Sequence, residues 1–186
     1  MFRFRMVVAG GVEMDRGLAR FTDGISDWRP IWPVFSDSFY AWIRGQFESE
    51  GAAAGGGKWW KLSEAYAAWK ERHFPGKPIL QRTGALMASL TSSKAAGAVY
   101  IAAPRSLTIG SDIPYAVFHQ VGAGHLPQRK EIAFSEAGKR ELMKIAQMYL
   151  VEIATKVGFR QGLAPTDQAR LSSIRAKYGR WPDGGS

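Results

Sequence analysis

The side chains able to do chemistry are few and badly spaced for it. The histidines are His73, His119 and His125. A zinc or iron site wants two of them at helical or hairpin spacing with carboxylates nearby. His119 and His125 lie six residues apart across Gly122, Ala123 and Gly124, and the flanking acids, Asp112 and Glu131, both lie outside that span. That is not ligand spacing, so no metal and no cofactor are expected. His119 reads instead as a hydrogen-bonding residue that holds the following glycine loop. The chain has no cysteine, which removes thiol catalysis, disulfides and cysteine-ligated metals together. No Gly-x-Ser-x-Gly elbow is present. The carboxylate pairs Glu48/Glu50 and Glu136/Glu141 read as solvated helix faces. Gly51 to Gly57-Lys58 invites a phosphate-loop reading, but the spacing is one residue too long. Trp59 also stands where a magnesium-binding hydroxyl belongs. The expectation is a protein without catalysis.

The elements around these residues are those of a folded, aromatic-rich chain. It has 186 residues, 46% hydrophobic, with seven Trp and ten Phe, enough for one core-bearing domain. No apolar run is long enough to span a membrane, and the N-terminus does not read as a signal peptide. The net charge of +9 favours acidic partners, nucleic acid or protein. Because the cations are spread along the chain, solubilising charge explains them as well as an approach to DNA does.

Residues 2–8 alternate as a strand, and a short helix is expected from Glu13 to Phe21, broken over Gly24 to Asp27. Phe35, Phe39, Trp42, Ile43, Gln46 and Phe47 repeat at helical spacing, predicting a long core helix that Pro30 and Pro33 open and Glu50-Gly51 closes. Ser63 caps a helix to about Arg72, and Thr83 a shorter one facing Leu86, Met87 and Leu90 inward. Strands are expected over 98–103 and 106–110, a short helix over 115–120, and a further strand over 129–134. Ser135 caps a long helix through Val157. From Phe159 onward glycine and proline punctuate a segment whose charges are mostly basic, with one short helix expected between Thr166 and Gly179 and Leu163, Leu171, Ile174, Tyr178 and Trp181 to bury.

Read together, several segments form an ordered set. They are Trp59-Trp60-Lys61-Leu62-Ser63, Leu80-Gln81-Arg82-Thr83-Gly84-Ala85-Leu86, Tyr115-Ala116-Val117-Phe118-His119-Gln120-Val121-Gly122 and Pro127-Gln128-Arg129. This order resembles the phage virion morphogenesis or tail completion family over roughly residues 1–157. Lys130-Glu131 depart from it, standing where a proline and an aromatic are usual. The resemblance implies an α+β fold, an antiparallel β-sheet flanked by helices, without enzymatic activity. It also implies a virion protein at the head–tail junction, assembled in the host cytoplasm as a homo-oligomeric ring, six-fold ahead of twelve-fold. Neck, connector or tail-tube proteins are its expected neighbours, with weak, sequence-independent DNA contact at most. Candidate interface residues are Trp59, Trp60, Gly84, Tyr115, His119, Gln120, Gly122, Pro127 and Arg129. Residues 1–157 would form the domain and 158–186 a basic extension or arm. The alternative is a free-standing, sequence-independent nucleic-acid-binding module.

Overall fold

A computed structural model describes residues 11–158, and beyond them only Ala169, Ser172, Ser173 and Ala176. The expected strand over 2–8 therefore lies outside the described residues, as does most of the helix expected between Thr166 and Gly179, within which these four residues are helical. Helix α1 runs Gly11–Ser26 and a 3₁₀ turn Arg29–Ile31. Then come α2 (Trp32–Glu48), a 3₁₀ turn (Ala52–Ala54), α3 (Glu64–His73) and α4 (Ala85–Thr91). The hairpin β1 (Ala98–Ala103) and β2 (Ser106–Ser111) follows, and the short α5 (Ala116–Val121) and long α6 (Glu136–Lys156) complete the order.

Helix α2 is the spine, because its aromatic repeat gives it two buried faces. Near its start Ile31, Trp32 and Val34 pack with Ile145, Tyr149 and Ile153 of α6, joined by Phe21 and Ile25 of α1. Along its second half Phe39, Tyr40, Ile43 and Phe47 pack with Trp59 and with Leu86 and Leu90 of α4. Ile43 and Phe47 have no exposed surface, and burial of each stabilises the fold by roughly 1.5–3 kcal/mol. The hairpin is clipped to the start of α2: Trp32 Nε1 donates to the Ala103 carbonyl at 2.8 Å. Ser135 caps α6 as expected, accepting from the Gly138 N–H.

Three expectations are corrected. Helix α1 continues through Gly24 to Ser26. A helical glycine costs about 1 kcal/mol, but a Cβ at Gly24 would lie 2.6 Å from Ile153 Cγ2. The glycine is what lets α1 and α6 close together. The left-handed N-cap of α4 is Gly84 (φ 76°), with Thr83 Oγ1 accepting from Ala85 N at 3.4 Å. The sheet among the described residues is the two-stranded antiparallel hairpin alone. Residues 129–134 form no strand. Side chains take the place of a ladder there: the Gln120 amide donates to Ile132 O at 2.7 Å and accepts from Ile132 N at 3.1 Å. The result is a mostly helical α+β fold.

Candidate functional site

Three stretches distant in sequence close around one cavity of about 750 Å³: the residues leading into and along α3, the turn before α4, and helix α5 with the loop after it. Their convergence is enforced by side chains reaching for backbone carbonyls. Arg129 donates from Nε to Trp60 O at 2.8 Å and from Nη2 to Lys61 O at 3.0 Å. Its own N–H bonds His119 O at 2.8 Å. Lys70 Nζ donates to the carbonyls of Lys77 and Pro78, each at 2.6 Å. Both cations are buried, at 4% and 5% exposure.

Gly122 makes this closure possible. Its φ is +72°, and a Cβ would lie 2.9 Å from Gln128 N. Only glycine lets the chain double back so tightly. A similar device holds the other flank. Gly51 (φ +99°) lies under the Trp59 indole, where a Cβ would sit 2.5 Å from Cδ1. Trp59 is buried, packs edge-on against Phe47 and donates from Nε1 to Lys130 O at 3.1 Å. Gln46 donates to the same carbonyl.

The structure thus brings Tyr115, His119, Pro127 and Arg129 to the cavity wall, and Gln120 and Gly122 directly behind it. Trp59 faces the core. Trp60 is 72% exposed. Gly84 lies beside the cavity-lining Thr83, with open space where its Cβ would be. The role expected of His119 belongs to its neighbour and its backbone: Gln120 grips residue 132, and the His119 carbonyl receives Arg129. The His119 ring meets Tyr115 edge-on, and its buried Nδ1 has no hydrogen-bond partner among the described residues. Burial first, and the Arg129 charge second, hold its pKa below the usual histidine range.

Sequence reasoning did not single out Lys70, Lys61, Arg82 or Glu131 as site residues. Nothing in the pattern says that Lys70 is buried, because a lysine among Trp69, Glu71 and Arg72 reads as a surface residue. Glu131 is 2% exposed, its Oε1 has no hydrogen-bond partner among the described residues, and burial raises its pKa to about 7. Among the described residues no cluster of histidines and acids fits a metal ion, and no helix is long and apolar enough to cross a membrane.

Exposed apolar side chains continue outward from the cavity. Val117, Phe118 and Val121 on α5 are about half exposed, with Tyr115 and Leu126 beside them. A profile of the phage virion morphogenesis family matches residues 13–158. No curated protein and no solved structure matches the chain.

Proposed function

The chain belongs to the phage virion morphogenesis family, and from that premise we propose that it is a structural subunit completing the tail or neck at the head–tail interface. It assembles as a homo-oligomeric ring, six-fold ahead of twelve-fold, between neck, connector or tail-tube neighbours. Residues 1–157 form the assembling domain and 158–186 an arm. The observation that carries this reading is the exposed face of α5, where Val117, Phe118 and Val121 leave large apolar side chains in water. A contiguous apolar surface of this kind marks a protein contact. The face adjoins Tyr115, His119 and Pro127 on the cavity wall, with Trp60 on the neighbouring segment. Trp59, Gln120, Gly122 and Arg129 hold the frame that presents them. Among the described residues the hairpin pairs with no third strand, which suits head-to-tail pairing between copies. DNA passing through such a ring makes weak, sequence-independent contacts, since tight salt-sensitive binding would oppose its passage.

Sedimentation of the purified protein and negative-stain imaging of particles test this. Phe118→Asp with Val121→Asp leaves the fold intact but abolishes the oligomer, and particles carrying it fail to join heads to tails. An unchanged oligomer, or normal virions made without the protein, would refute the proposal.

A further inference from the structure

The cavity wall carries a charge imbalance that the fold does not resolve. Arg129 and Lys70 are buried, and neither forms an ion pair with a carboxylate among the described residues, although the Glu50 and Glu71 charges act on Lys70 from farther off. Each satisfies part of its donor set on backbone carbonyls. Arg129 Nη1 makes no hydrogen bond among the described residues. Lys61 and Arg82 stand exposed at the rim, and none of the described lining residues is acidic. A buried cation without a counter-ion is costly, and a cavity that gathers several is organised for an anion. The rest of the wall is apolar, including Leu62, Leu80 and Leu126.

We propose that this cavity binds a peptide segment of a neighbouring virion protein through an acidic side chain flanked by apolar ones. The carboxylate meets Arg129 and Lys70 at the back while Lys61 and Arg82 steer it in, and its apolar neighbours cover the leucines. A peptide fits better than DNA. Duplex phosphates are bound by cations projecting from an open surface, whereas the two innermost cations here are recessed. The inference deepens the assembly reading, on which the identity of the peptide's owner rests.

Calorimetric titration of the full chain tests it with a terminally blocked hexapeptide alternating leucine and aspartate, against its leucine–asparagine counterpart. The acidic peptide binds at least about tenfold more tightly, and the preference weakens with salt. Lys61→Glu with Arg82→Glu removes it, with thermal unfolding unchanged because both side chains are exposed. Equal binding of the two peptides, no binding of either, or indifference to the charge reversal overturns the inference. So does displacement of the peptide by a short DNA duplex, or self-association that the charge reversal alone abolishes. Failure here is separable from failure of the assembly reading. If the charge-reversed protein still joins heads to tails, the cavity has no such role but the ring stands. If virions form without the protein, the ring falls whatever the peptide does.

Discussion

Glu131 shows what one side chain can do to the pH response of this fold. It stands where the family resemblance expects an aromatic, and the slot is buried as an aromatic's would be. Burial raises the carboxyl to about 7 against 4.5. The folded chain therefore binds more protons than the unfolded one between those values. The contribution is fully present below 4.5 and lost as pH rises through about 7. Glu131→Gln keeps the shape and removes the charge, so it should be stabilising at pH 8.5 by on the order of 1–3 kcal/mol and near neutral at pH 4.5. Urea midpoints of both proteins at the two pH values check this, and a constant gap would contradict it. His119 has the opposite sign. Its pKa is held below 6.5, so its contribution is present above 6.5 and lost as pH falls below it. His119→Gln should flatten the acid side of the wild-type stability profile and leave the alkaline side alone. Loss of the alkaline limb in that variant would show that the ring matters by packing and not by charge.

Among the elements, legibility follows how local the cause is. The spine α2, the hairpin and the Ser135 cap were readable because periodicity and capping are properties of adjacent residues. The end of α1 was not, since Gly24 is helical on account of Ile153, far along the chain. The segment 129–134 was misread for a related reason. Its hydrogen-bond partners are the His119 carbonyl and the side chains of Gln120, Trp59 and Gln46, none of them a neighbouring strand. The motif residues could be ranked as a group without showing that most of them build a clasp. That clasp predicts a contrast between two neighbouring glycines. Gly122 and Gly124 both have positive φ, at 72° and 61°, but only Gly122 has backbone pressed against it. Gly124→Ala should cost about 1 kcal/mol from backbone strain alone. Gly122→Ala should cost about 2–4 kcal/mol, because residues 127–129 must also move. Equal shifts in denaturant midpoint would remove the clasp from the account.

At the scale of the whole molecule, stability and assembly draw on different surfaces. Both described apolar clusters are built from residues between Phe21 and Ile153, and the family match ends at 158. Sequence composition also sets residues 158–186 apart, through their glycines, prolines and arginines, although Leu163, Leu171, Ile174, Tyr178 and Trp181 give them something to bury. The cavity, by contrast, was invisible to composition, because its cations come from three stretches whose convergence depends on Arg129 and Lys70 finding carbonyls. If residues 158–186 are an arm, removing them leaves the clusters intact. A chain ending at residue 157 should then unfold cooperatively within about 4 °C of the full-length protein, the shift expected of roughly 1 kcal/mol at this size. Its sedimentation should change instead, toward smaller species if the arm reaches a neighbour. A large fall in unfolding temperature would make the extension part of the folded domain, and the division at 157 would have to be abandoned.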